Sequence, residues 1–143
     1  MDIRFQSVFD FGTDAAAAVL TKGFSDYFVP VQISAAGLLA TARQDSVDLE
    51  LSRVILHAAR PVGVALLARR GWTSRLAAMS ILPDARGRGI GAVCVRQLLD
   101  EAKTRGDQSM TLEVIEQNEP AVRLYEKCGF AKMRRLLGFS GHS

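Results

Sequence analysis

The sequence predicts a mixed α/β fold: a central, mostly antiparallel sheet flanked by helices. Three observations predict it. First, apolar runs of strand length cover residues 51–58, 62–68 and 75–82, parted by the turn formers Ala59-Arg60-Pro61 and Arg70-Gly71-Trp72-Thr73. Second, the last run stops at Pro83 and gives way to a glycine-rich turn, Arg86-Gly87-Arg88-Gly89-Ile90-Gly91. Third, the apolar spacing then becomes helical, at Ile90, Cys94, Val95, Leu98, Leu99 and Ala102, before a new strand-like run starts at Ser109. A crossing of that length joins parallel strands. The sheet is therefore antiparallel first and ends on a strand–helix–strand step.

Composition narrows the class. A length of 143 residues suits one domain, residues 1–143, able to bury a real core. A net charge of +3 without a long basic run, and only 7% aromatic residues, argue against a nucleic-acid partner. No apolar run approaches a membrane span and the N-terminus lacks a signal-peptide pattern, so no membrane partner and a cytoplasmic location are expected. Cys94 and Cys128 have no pairing pattern, which fits reduced thiols. No second His or Cys stands at ligand spacing, so no metal is expected.

The elements follow in order. Ile3, Phe5 and Val8 alternate with polar residues as in a strand. Thr13 is placed to cap a helix running from Asp14 towards Phe24, through the helix-favouring run 15–18. Asp26-Tyr27-Phe28-Val29-Pro30 reads as a loop, and Ser34 as the cap of a second helix through Leu38, Leu39 and Arg43. Residues 45–48 are a polar break before the three-strand meander. The nearly unbroken apolar run 62–68 is expected to be covered on both faces. His57 lies mid-strand with no acidic motif beside it to orient the ring, so it reads as structural. The helix after the glycine turn ends with Lys103 and Arg105 near its negative end and Gly106 as its stop. In the strand over 109–115, Met110, Leu112 and Val114 share one face, Glu113 and Ile115 the other. Asn118 caps the last helix, Pro120 falls in its first turn, and Gly129 ends it. A final strand is expected over 130–139.

The chemistry concentrates at the glycine turn. Glycines accept backbone conformations and close approaches that a β-carbon blocks. Unpaired N–H groups at a helix start favour an anion, and Arg86 and Arg88 add charge beside them. The Gly-Lys-Ser/Thr end of a P-loop is absent. Gly87, Gly89 and Ala92 satisfy a dinucleotide fingerprint, but one that should close a first strand rather than a mid-chain meander. A tight turn whose glycines only ease helix packing also fits the loop taken alone.

Arg86-x-x-Gly89-x-Gly91 resembles the Q/R-x-x-G-x-G/A acyl-CoA loop of the GNAT superfamily of N-acetyltransferases. A second segment resembles that superfamily's other signature: strand 112–115, then Asn118-x-x-Ala121, then Leu124-Tyr125-x-x-x-Gly129-Phe130. Both occur in the expected order, and the resemblance covers residues 53–130. It is closest to the branch that acetylates the N-terminal alanine of a ribosomal protein. The fold it implies is the acyl-CoA N-acyltransferase (GNAT) fold, with its two central parallel strands splayed apart.

The resemblance implies acetyl transfer from acetyl-CoA, as co-substrate, to a primary amine of a small molecule or protein, by direct attack in a ternary complex. Arg86, Gly87, Arg88, Gly89, Ile90 and Gly91 would hold the pyrophosphate, and the backbone of Ile81 and Leu82 would pair with the pantetheine arm. Asn118 would hydrogen-bond that arm, with Ala121 small enough to let it lie against the helix. Tyr125 matches the phenol that serves the departing thiolate, and Glu113 the general base. Asp26, Tyr27 and Phe28 fall where acceptor contacts occur, though the two aromatics suit a buried core better. The alternative function is a non-catalytic acyl-CoA-binding sensor, or the scaffold half of a tandem protein. Most such folds have a further strand near the C-terminus, for which no candidate precedes Ser143. That suggests a short last strand, a longer chain, or a homodimer that completes the sheet.

Overall fold

The structure, a computed structural model, describes residues 2–24, 34–114, 119–130 and 139–140. Its strands are β1 (Ile3–Ser7), β2 (Arg53–His57), β3 (Arg60–Arg70), β4 (Thr73–Ile81), β5 (Ser109–Val114) and β6 (Phe139–Ser140). They lie side by side in chain order, and every pairing is antiparallel except β4 with β5. The helices are α1 (Val8–Phe11), α2 (Thr13–Gly23), α3 (Ala35–Asp45), α4 (Ile90–Arg105) and α5 (Glu119–Lys127). The mixed sheet flanked by helices is as expected.

Strand β3 is the spine. All seven residues 62–68 are buried, because helices cover both faces of the sheet. Val64, Leu66 and Ala68 pack with Ala16, Ala17, Leu20 and Leu38 of α2 and α3. Ala65 and Leu67 face the other way, with Ile90, Cys94, Val95, Leu98 and Ala102 of α4 and Tyr125 of α5. The period-2 alternation of a strand thus feeds two cores.

Local chemistry sets the ends. Ser34 caps α3 as expected, its Oγ accepting from the Gly37 N–H at 3.0 Å. Gly106, at φ +90°, stops α4. Two expectations differ. Val8 does not extend β1: it opens the short α1, capped by Ser7, and is fully buried. Thr13 is the first residue of α2, and Gly12, at φ +104°, stands at the cap. A β-carbon disfavours that backbone angle, so glycine takes the junction between the two helices. Of the expected strand over 130–139, Phe130 lies outside any strand, 131–138 lie outside the described residues, and Phe139 begins β6. Among the described residues no helix is long and apolar enough to cross a membrane.

Candidate functional site

The parallel pair opens where the glycine turn begins. β4 and β5 are in register from Thr73↔Ser109 to Leu76↔Leu112, and there the pairing stops, although β4 continues to Ile81. The cause is visible on the other side of β4. Leu66 pairs with Ala78 and Leu67 with Leu76, so Ala77 is an extra residue in the ladder. A bulge bends its strand and increases the twist, and this one falls one residue past the last parallel pair. The Leu82 N–H binds the Val62 carbonyl at 2.8 Å. By the alternation of an antiparallel ladder, Ile81 and Met79 then turn their backbone groups to the side β5 has left. Leu82, expected on that edge, faces β3 instead, and Met79 takes its place. A bulge carries no residue signature, so the sequence could not show the exchange.

Beyond β4 a 3-10 turn, Pro83–Ala85, leads into the glycines. Gly87 (φ +78°) and Gly89 (φ +79°) are both left-handed, and nothing lies within 4 Å of where a β-carbon would stand on either. Val93 is the first residue of α4 whose N–H finds a carbonyl, that of Gly89 at 3.1 Å. Among the described residues the N–H groups of 87–92 have no such partner. A row of open donors at a helix start, with the dipole of a sixteen-residue helix behind it, suits an anion. Gly91 serves packing: a β-carbon there would meet Leu124 Cδ2 of α5 at 3.1 Å.

The Arg86 side chain reaches two backbone carbonyls. Its Nη2 donates to the Gly23 carbonyl at 2.6 Å and its Nε to the Ile81 carbonyl at 3.0 Å. The guanidinium thus ties the end of α2 to the end of β4. The same junction is close-packed, since a β-carbon on Gly23 would stand 2.6 Å from Ser80 Cβ. Arg88 and the loop glycines are exposed, and Ile90 is buried beneath them. The salt bridge Arg60–Asp84 (2.7 Å) fastens the β2–β3 turn to the 3-10 turn.

On α5, Ala121 and Leu124 pack against the core and Tyr125 is 8% exposed. The end of that helix holds Tyr125 in place. The Phe130 N–H binds the Tyr125 carbonyl (3.0 Å) and the Gly129 N–H that of Glu126 (3.0 Å), with Gly129 at φ +102°. This is a Schellman cap, and its apolar contact is the edge-to-face pair of Tyr125 and Phe130, 6.1 Å apart. The Gly-Phe of the sequence signature is thus a helix stop that pins the tyrosine. The backbone of Glu113 pairs with Ser140. The Glu113 side chain, Asn118, and Asp26, Tyr27 and Phe28 lie outside the described residues. Cys94 is fully buried, and burial, assisted by Glu101, pushes its thiol up to about 12. Among the described residues no group of His, Cys, Asp and Glu could hold a metal.

A sequence model of the acetyltransferase (GNAT) family matches residues 20–130. N-alpha-acetyltransferase 30 of Schizosaccharomyces pombe is 36% identical over 92 residues, 61% of each chain. The [ribosomal protein bS18]-alanine N-acetyltransferase of Salmonella typhimurium is 41% identical over 59 residues, 40% of each chain. The chain thus spans less than two thirds of the length of these relatives. In structure it superimposes on the PaiA N-acetyltransferase of Thermoplasma acidophilum, solved in complex with coenzyme A, with a TM-score of 0.78 and 16% identity over 100% of this chain and 99% of the other.

Proposed function

Because this chain belongs to the GNAT acetyltransferase family, we propose that it transfers the acetyl group of acetyl-CoA to a primary amine, of a small molecule or a protein, in a ternary complex. The observation that carries the reading is the row of open N–H groups from Gly87 to Ala92, directly beside a strand edge that β5 has vacated. An anion seats on the first, and an extended amide chain pairs along the second, at Met79 and Ile81. Those are the pyrophosphate and the pantetheine arm of coenzyme A, so the residues fit the group. A PaiA N-acetyltransferase of the same fold was solved with coenzyme A bound. By the same resemblance Asn118 would hydrogen-bond the arm, and Ala121 is small enough to let it lie against α5.

When bound, acetyl-CoA supplies an activated thioester. The chain supplies position and proton transfer. Glu113 takes a proton from the acceptor ammonium, freeing the nitrogen lone pair. A bond forms between that nitrogen and the acetyl carbon, and the carbon–sulfur bond breaks. Tyr125 gives its phenolic proton to the departing sulfur, and the second proton that the nitrogen sheds as the amide forms restores the phenol. Asp26, Tyr27 and Phe28 border the acceptor.

The test is calorimetric titration with coenzyme A, paired with thiol release from acetyl-CoA in the presence of an alanine-initiated peptide, a lysine peptide and spermidine. Binding together with turnover of one of these supports the reading. Binding without any turnover points to an acyl-CoA sensor instead, and absent binding removes both.

A further inference from the structure

The last turn of α2 is fastened to the end of β4 by the arginine that opens the glycine turn. Gly23 closes α2, and a β-carbon on it would stand 2.6 Å from Ser80 Cβ. Gly23 is helical, so this contact, rather than a left-handed backbone, requires the glycine. Ser80 is buried, and its Oγ donates to the Leu20 carbonyl at 3.4 Å. Leu20 and Gly23 stand in the final turn, where helix carbonyls lack partners further along the helix. Arg86 Nη2 takes the second of them, donating to the Gly23 carbonyl at 2.6 Å. The dipole of an eleven-residue helix also favours a cation at this end.

The same guanidinium reaches the acyl-CoA side. Arg86 Nε donates to the Ile81 carbonyl at 3.0 Å. Because the Leu82 N–H binds Val62, the Ile81 groups point away from β3, towards the vacated edge. That carbonyl is spent within the chain, which leaves the Ile81 N–H and the Met79 groups for an extended amide chain. Arg86 also stands between the 3-10 turn and Gly87, the first left-handed glycine. Where its side chain is anchored therefore sets where the N–H row begins. Resting on the acyl-CoA reading above, we propose that Arg86 is a positioning residue for that site. Clamped between the Gly23 and Ile81 carbonyls, its side chain registers the end of β4 and the N–H row against α2, and it does not serve as a phosphate ligand. A fork of fixed geometry suits a clamp between two carbonyls, whereas a single ammonium does not.

Calorimetry with acetyl-CoA on the intact protein, at low and at high salt, separates a clamp from a phosphate ligand. Arg86→Lys keeps the charge and loses the fork. It should weaken binding as much as Arg86→Gln does, at least about 10-fold in each, with the same ratio to wild type at both salt concentrations. Gly23→Ala, outside the glycine turn, should cause a comparable loss by pushing α2 off Ser80. Gly23→Ala/Ser80→Gly, which exchanges the space between the two positions, should recover most of it. Melting temperatures identify the folded variants, and the Arg86 pair decides alone if Gly23→Ala does not fold. Wild-type affinity in Arg86→Lys beside a loss in Arg86→Gln would make the charge a phosphate ligand and overturn the proposal. So would a lowered melting temperature with unaltered affinity, or a loss in Gly23→Ala that Ser80→Gly does not relieve. A wild-type protein that binds no acetyl-CoA removes the acetyltransferase reading and the proposal together, whereas wild-type binding with unchanged variants removes the proposal alone.

Discussion

At its N-terminal end β4 is paired on both sides, with Thr73 standing opposite Arg70 of β3 and Ser109 of β5. At its C-terminal end, among the described residues, β3 alone remains beside it, and the backbone there gives way to glycines with open N–H groups. The two ends expose opposite materials. One presents side chains, a braced indole and arginines, on a satisfied backbone. The other presents the backbone itself, on a stretch with little side chain. Unpaired backbone groups are costly inside a protein, so a chain keeps a row of them only at the surface, where water or a ligand takes them. The bulge at Ala77 makes the difference between the ends, turning one strand from a sheet member into an edge partway along.

The largest effect should come from filling the backbone end. Gly89→Trp sets an indole into the open space before the N–H row. It also forces a β-carbon into a left-handed backbone, a cost of about 1–2 kcal/mol. Calorimetry should show acetyl-CoA binding abolished, while Trp72→Phe at the other end leaves it intact. An unchanged affinity in Gly89→Trp would mean that the pyrophosphate sits elsewhere. Next in size is Tyr125→Phe. It keeps the ring against Phe130 and removes the hydroxyl, so kcat should fall roughly 100-fold with little change in coenzyme A affinity. Wild-type turnover would remove the acid role.

How far each end was legible follows from the same contrast. Positions set by a residue's own chemistry could be read: Ser34 as a cap, Gly106 and Gly129 as helix stops, the two-sided burial of 62–68, and the helix face of Ile90, Cys94, Val95 and Leu98. What depends on pairing could not. The Ala77 bulge, the exchange of Leu82 for Met79 on the open edge, and the turn of Arg86 towards Gly23 all come from register and contact between segments far apart in the chain. Gly12 displaced Thr13 at the start of α2 because the preceding turn is helical, and the short run from Val8 did not reveal that. The bracing of Trp72 by Arg69 and Asp107 went unread too, since arginines and a tryptophan in a turn match no motif.

The side-chain end has its own weak point. Burial would raise the Asp107 carboxyl, but hydrogen bonds from Arg69 and Arg105 outweigh it and hold the group below its ordinary value. A depressed carboxyl adds stability above its unfolded pKa, about 3.9, and loses it as pH falls through the folded value. Asp107→Ala should therefore cost about 2 kcal/mol at pH 7, read by urea unfolding, and the gap from wild type should close below about pH 4. A gap that persisted in acid would assign the loss to packing. Because the fault lies at the satisfied end, acetyl-CoA affinity in the folded variant should be unaltered.

The smallest effect should come from the element that joins the two ends. α4 starts at the glycine turn and finishes beside Trp72, and Cys94 lies within it, fully buried. With its thiol pushed up to about 12, only about one molecule in ten thousand carries the thiolate at pH 8. A thiol so seldom ionised is a poor nucleophile, which supports the direct transfer proposed above. Cys94→Ala removes one sulfur from a packed core and should cost about 1 kcal/mol of stability, while kcat and the affinity for acetyl-CoA stay at wild-type values. A fall in kcat beyond about tenfold, with the fold and binding intact, would place a covalent step at Cys94 and would make α4 a participant in the chemistry rather than the rod between two surfaces.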